Sequence, residues 1–377
     1  MTDITLLALQ WTRDAKRFVD DVEVLRGLEP PYRVSEFRLE GYNSTSFPSW
    51  VMDIDAYLPG LTSIEMSDLT SCNNLPPLGQ LPNLKRLEIR QMNGIKKIDT
   101  DLYGGSRAFP RLEQILIDGM ECLEEWNTAS SSDDDGSSEA VFPRLRLVEI
   151  RQCPRLRFKQ CPPQSIYDLR VYSSEVLLSP WGHAGACSAK ELRVECCVVP
   201  LHRWSLLRHL PCLKILRIIN CSDITWSPPD FLRGLTSLSK LFVIDCNGIV
   251  SLPDWLEDFT SLLQLTINNC NIKTLPDTIQ KLTYLQYLLI FGCPELGRWY
   301  ESEENKMKVA HIMARVCALI IIIIIVFFNC TDYSFCHFSM GSNFYCIFGL
   351  ISMASIIHNN YMSHSKLMRR WEKVVSS

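Results

Sequence analysis

Residues able to do chemistry are plentiful in this chain, and their spacing says more than their number. The 377 residues include sixteen cysteines and seven histidines. Cysteine can crosslink, ligate a metal or attack as a thiolate. A secreted disulfide scaffold would use many cysteines. Here, however, Cys153, Cys221, Cys246, Cys270 and Cys293 recur at one position of a repeated pattern, so packing accounts for them. Cys196 and Cys197 are adjacent, and no C-x-x-C pair points to zinc or redox work. Reduced thiols in a cytoplasmic protein are the expectation. No H-E-x-x-H spacing joins the histidines, and His202 and His209 read as solvated residues flanking a short helical segment. Asp133-Asp134-Asp135 could touch a cation, but a polar loop cannot hold the rigid oxygen cage that selectivity requires. There is no G-x-x-x-x-G-K-[ST] or G-x-G-x-x-G motif, and Gly104-Gly105 reads as a turn. These features predict a protein that is not an enzyme and uses no metal or cofactor. A net charge of −4 and a pI near 6.0 give no case for nucleic-acid binding.

The elements that position these residues follow from the repeat. Leu210 to Cys221 reads L-x-x-L-x-x-L-x-I-x-x-C, and copies begin at Leu235, Phe259 and Leu282. The third apolar position, here called the anchor, falls at Leu216, Leu241, Leu265 and Leu288, at steps of 25, 24 and 23 residues. A period of about 20–29 residues with this signature is that of the leucine-rich repeat. Alternation at period two in L-x-[IV] marks a short strand with one buried face. One repeat cannot bury that face alone, so the expected fold is an α/β leucine-rich-repeat solenoid with a parallel inner β-sheet over residues 1–312. Earlier anchors are predicted at Ile64, Leu87, Ile115, Val148, Leu169 and Leu192, and Leu7-Ala-Leu9 reads as a first strand. Asp20 to Leu28 predicts one short helix, halted before Pro30-Pro31. Residues 128–140, rich in Ser and Asp, read as a disordered acidic insertion.

Several motifs carry a more specific resemblance. They are Asn74-Leu-Pro-Pro77-Leu78-Gly79-Gln-Leu81-Pro82, the F-P-R-L openings at Phe109 and Phe142, and the Cys-Pro pairs at Cys153 and Cys293. With Leu252-Pro253 and Leu275-Pro276, they resemble the repeat region of plant intracellular immune receptors, the coiled-coil nucleotide-binding-site class. The resemblance covers about residues 1–312. It implies a recognition and autoinhibitory module that binds a pathogen effector or a host guard target and restrains signalling domains. Nucleotide binding does not carry over, because its motifs are absent from this chain.

The candidate binding residues lie on the concave face. Residues one before, one after and three after each anchor should point toward solvent. One column then stacks Arg170, Arg193 and Arg217, expected to act as a basic strip for an acidic partner. The last repeats present Ile215, Ile219, Phe242, Ile244, Tyr287, Leu289 and Phe291, a candidate protein-binding patch.

The tail at 313–377 departs from the repeat pattern. Val316 to Phe328 is continuously apolar, and Phe344 to Ile357 is a second apolar run. Two readings stay open: a non-native extension, or one or two membrane-spanning segments over 309–357 tethering a repeat protein. The N-terminus shows no secretory signal, since Asp3, Asp14, Lys16 and Arg17 interrupt any apolar stretch.

Overall fold

Each L-x-[IV] pair becomes the centre of a five-residue strand. Twelve such strands form one sheet in strict chain order, and every neighbouring pair is parallel. They are Leu6–Gln10, Glu36–Glu40, Ser63–Ser67, Arg86–Arg90, Gln114–Asp118, Leu147–Arg151, Asp168–Tyr172, Glu191–Glu195, Ile215–Ile219, Lys240–Ile244, Gln264–Asn268 and Tyr287–Phe291. The computed structural model describes residues 5–12, 17–30, 33–105, 107–128, 141–159, 162–179, 186–221 and 235–314. The chain divides into two units, Met1–Phe328 and Asn329–Ser377, and the second lies wholly outside the described residues.

The register confirms every predicted anchor, with Leu7 and Phe37 at the head of the same row. Leu7, Phe37, Ile64, Leu87, Ile115, Val148, Leu169, Leu192, Leu216, Leu241, Leu265 and Leu288 form one row. From Phe37 onward each anchor is buried, as is the residue two later, so one face of the sheet closes a continuous apolar core. Residues at the other parity form the open face.

The strands end in a device that the apolar pattern does not reveal. The residue four after the anchor has positive φ in each of the last eleven repeats: Gly41, Asp68, Gln91, Gly119, Gln152, Ser173, Cys196, Asn220, Asp245, Asn269 and Gly292. A left-handed residue turns the chain sharply off the sheet, and Gly, Asn and Asp tolerate it best. Its N–H donates to the carbonyl that ends the next strand, as in Asn220 to Ile244 at 2.9 Å and Asn269 to Phe291 at 2.8 Å.

The cysteine position follows immediately. Cys153, Cys221, Cys246, Cys270 and Cys293 are all buried, and Cys197 joins them in the same row. Each of these thiols donates to the carbonyl two residues earlier, for example Cys246 to Ile244 at 3.1 Å. Cys221, Cys246 and Cys270 also lie within reach of a carbonyl in the preceding strand. The Cys270 N–H donates to the Cys293 thiol at 3.4 Å. The described cysteines are all free thiols, arranged as a packing and hydrogen-bonding ladder.

Behind the sheet the connections change along the chain. The predicted helix near residue 20 is Asp21–Arg26, capped by the Asp20 side chain accepting from the Val22 N–H. Gly104 is the left-handed cap of the short helix Thr100–Tyr103, so Gly104-Gly105 does sit at a turn. A second, three-stranded parallel sheet joins Lys97–Ile98, Glu125–Trp126 and Arg157–Phe158. Aromatic side chains pack nearby: the Phe109 and Phe142 rings stack at 5.2 Å between centroids, and Tyr103 meets Phe142 edge-on at 5.5 Å. Later connections are 3₁₀ turns, including Leu201–Arg203, Ser205–His209, Asp254–Asp258 and Asp277–Lys281. His202 is half-buried there, and its Nδ1 is buried without a hydrogen-bond partner, unlike the solvated residue expected.

Two helices, Pro294–Glu301 and Glu303–Ala314, follow the last strand. Leu296, Val309 and Ile312 are buried in the core, and Lys308 pairs with Asp277 at 2.8 Å. Residues 309–312, counted above as the start of a membrane segment, therefore pack as part of the solenoid. The remainder of that segment, from 315 to 357, lies outside the described residues. No helix among the described residues is long and apolar enough to cross a membrane. Most of the acidic insertion also lies outside them, and Thr128 at its start is buried.

Candidate functional site

The open face of the sheet changes character along the chain, and the columns around the anchors show how. The column one after the anchor places Arg170, Arg193 and Arg217 on consecutive strands in register. Strands lie about 4.8 Å apart, so an unanswered stack would repel. Each arginine is answered within the sheet. Arg170 pairs with Asp168 at 2.7 Å and Glu149 at 3.7 Å, Arg193 with Glu195 at 2.9 Å, and Arg217 with Glu191 at 2.7 Å. The expected basic strip is thus a charge-compensated ladder.

Aromatic rings complete it. Tyr172 lies between Arg151 and Arg193, whose guanidinium carbons sit 4.8 and 5.6 Å from its ring centre. Arg217 lies 4.0 Å over Phe242. Burial pushes the Asp168 carboxyl up; Arg170 pulls it back only in part, leaving it raised. One Asp168 oxygen is buried with no hydrogen-bond partner. In the earlier strands Glu88 is buried between Arg86 and Arg90. Desolvation pushes Glu88 up, but the two arginines outweigh it and hold it below the usual carboxylate range.

The last four strands contrast with this. Ile215, Phe242, Ile244, Leu289 and Phe291 are half-buried on the open face, and Tyr287 is exposed at 45%. Cross-strand register brings them together: Ile219 pairs with Ile244, and Thr266 with Leu289. Asn268 lies between Ile244 and Phe291. Ile219 stands on the open side by register, yet it is only 5% exposed. Its place between Glu195 and Ile244 on adjoining strands makes it the floor of the patch rather than its rim. The patch and the arginine ladder meet where Arg217 covers Phe242.

Among the described residues, no group of three or more His, Cys, Asp or Glu side chains could hold a metal ion. The ladder thiols lie above their ordinary range because burial disfavours the thiolate. Cys153, Cys197 and Cys270 are each pushed up to about 12. They are poor nucleophiles in this state.

Known proteins agree with this architecture. A family model described as R13L1/DRL21 LRRs matches residues 2–92. A protein of Arabidopsis thaliana named for disease resistance is 35% identical over 167 residues, which is 41% of this chain and 11% of that protein. The RPP13-like protein 1 of the same plant, also named for disease resistance, is 27% identical over 268 residues, 67% of this chain and 24% of that protein. Disease resistance protein RGA2 of Solanum bulbocastanum is 27% identical over 180 residues, 46% of this chain and 18% of that one. The matched stretches thus span about a quarter or less of these relatives' lengths. Residues 2–92 thus match the R13L1/DRL21 leucine-rich repeats, and with its twelve-stranded repeat sheet the chain resembles the leucine-rich-repeat region of plant disease resistance proteins.

Proposed function

We propose that the chain is a partner-recognition and autoinhibitory module in plant defence. It engages a pathogen effector or a host guard target through the last four strands, and it holds signalling domains off when that partner is absent. The observation that carries this reading is the change along the open face. The arginines in the first two-thirds are paired with carboxylates within the sheet, whereas the end presents apolar and aromatic side chains on the open face. Contiguous exposed apolar surface marks interaction sites, and aromatic and arginine side chains dominate interface energetics. Arg217 stands at the edge of that surface over Phe242, with Arg193 and Arg170 on the two strands before it.

Proximity labelling in plant cells tests this. The full chain is compared with a variant carrying Phe242→Ala, Leu289→Ala and Phe291→Ala. The reading expects a small set of proteins labelled by the parent and lost in the variant while the repeat sheet stays folded by circular dichroism. Identical labelling by both proteins would remove the patch as the recognition surface.

A further inference from the structure

Cationic side chains on the open face follow a rule with one exception. Arg38, Arg86, Arg90, Arg151, Arg170, Arg193 and Arg217 each lie within ion-pair distance of a carboxylate on the same or an adjoining strand. Lys240 is exposed and, among the described residues, has no such partner. It stands one residue before the Leu241 anchor, with Ile215 and Gln264 as its neighbours across the sheet. The carboxylates stop at Glu191 and Glu195, two strands before it on this face.

Lys214 extends the same lip. It precedes Ile215, so it sits beside Ser239, whose hydroxyl donates to the Lys214 carbonyl at 3.0 Å. Its ammonium is likewise exposed and unpaired among the described residues. A shallow pocket of about 560 Å³ opens at this edge, lined by Lys214, Ser237, Ser239, Thr260, Ser261 and Tyr284, with Leu263 completing it. Hydroxyls and an ammonium around one hollow provide donors for an anion. The apolar patch of Phe242, Ile244, Leu289 and Phe291 lies on the same strands as this lip or on those that follow.

We propose that the docking segment of the protein partner is an amphipathic peptide of defined polarity. Its large apolar side chains lie on the Phe242–Phe291 patch, and an aspartate or glutamate at one end meets the Lys214–Lys240 lip. The charge pattern argues for this. A partner rich in acid would gain little from arginines already paired within the sheet, whereas one carboxylate at the lip meets Lys240, the open-face cation with no carboxylate partner among the described residues, and Lys214 on the neighbouring repeat. This deepens the recognition reading above and rests on it.

A random dodecapeptide library displayed on phage, panned against the full chain, tests the two claims separately. The expected enrichment is for paired aromatic or aliphatic residues with an Asp or Glu at one end. Against Lys214→Glu/Lys240→Glu, the enriched peptides should bind on the order of tenfold more weakly. Renewed panning on that variant should select Lys or Arg at the same end. Lys214→Arg/Lys240→Arg should restore the original preference. Both lysines are exposed, so an unchanged circular dichroism spectrum and melting temperature verify the fold of the variants. If enriched peptides lose binding to Phe242→Ala/Phe291→Ala but bind the lysine reversal as well as the parent, the acidic-end proposal is overturned and the patch reading survives. If binding is indifferent to the aromatic substitutions, or if no peptide is enriched over an unrelated solenoid, the recognition reading falls with it.

Discussion

The guanidinium of Arg217 lies 4.0 Å over the ring of Phe242 while its Nε meets Glu191 at 2.7 Å. One side chain thus joins the charged part of the open face to its apolar part. It is restrained from two directions, so it presents a fixed edge rather than a swinging charge. Both contacts are partly solvated, and neither contributes much to the stability of the fold.

Arg217→Ala should therefore lower unfolding stability by only about 0.5–1.5 kcal/mol, the sum expected of one partly exposed ion pair and one cation–π contact. Urea denaturation of the parent and the variant checks this. A loss above about 3 kcal/mol would mean that Arg217 supports the core rather than the surface.

Gly79, inside the Pro-Pro-Leu-Gly-Gln-Leu-Pro stretch, leaves no room for a methyl group. A Cβ there would lie 2.4 Å from the Tyr103 carbonyl oxygen and 2.8 Å from the Ala108 Cβ. Gly79 also accepts the Phe109 N–H at 2.6 Å, and Phe109 is a buried phenylalanine with φ of 56°. Gly79→Ala should cost about 1–3 kcal/mol by overpacking. The same denaturation experiment reads it, and a neutral outcome would show that the helix Thr100–Tyr103 can move away.

The left-handed row gives a paired prediction. Asn220 and Asn269 hold φ near 50°, where a β-branched side chain is strained. Asn269→Val should cost about 1–3 kcal/mol, whereas Asn269→Gly should be close to neutral apart from the lost hydrogen bond to Asp245 at 2.8 Å. Equal losses in both variants would assign the effect to that hydrogen bond instead of to the backbone.

The thiol ladder sets an alkaline limit. Burial raises the folded-state pKa of Cys153, Cys197 and Cys270 from an ordinary value of 9.0 to about 12, and raises those of Cys221, Cys246 and Cys293 as well. The unfolded chain gives up these protons first. The stabilisation is therefore whole below about pH 9 and is lost as pH climbs toward 12. Each thiol adds up to about 1.4 kcal/mol per pH unit to that slope. Circular dichroism against pH should show cooperative unfolding in this window, displaced upward when Cys270→Ala removes one thiol without unfolding the chain. In the folded state at pH 8, a thiol reagent should modify exposed Cys196 and spare Cys197 and Cys270.

The sheet was legible because its determinants are local and periodic. Leu216, Leu241, Leu265 and Leu288 recur at nearly constant steps, and alternate burial around them is all a parallel repeat strand requires. The left-handed row was not found that way. It admits Gln91, Ser173 and Cys196 as well as glycine, so no single residue type announces it, although the Asn and Asp at 220, 245 and 269 offered a signal. Cys197 is hidden as a member of the ladder because its neighbour Cys196 makes the two resemble a vicinal pair. The placement of Arg170, Arg193 and Arg217 in one column followed from register alone. Their compensation did not, because Glu191 reaches Arg217 across strands, 26 residues away in the chain. Burial of Ile219 likewise depends on neighbours that a single strand cannot show.

The most direct measurement of the central claim is site-specific photocrosslinking of the full chain in plant cells. A photoreactive phenylalanine derivative replaces Leu289 in one protein and Glu65, on the charge-compensated part of the same face, in another. Discrete adducts with a partner protein are expected from position 289 and few or none from position 65. Adducts from position 65 with none from position 289 would contradict the claim, and would move the recognition surface to the charged strands.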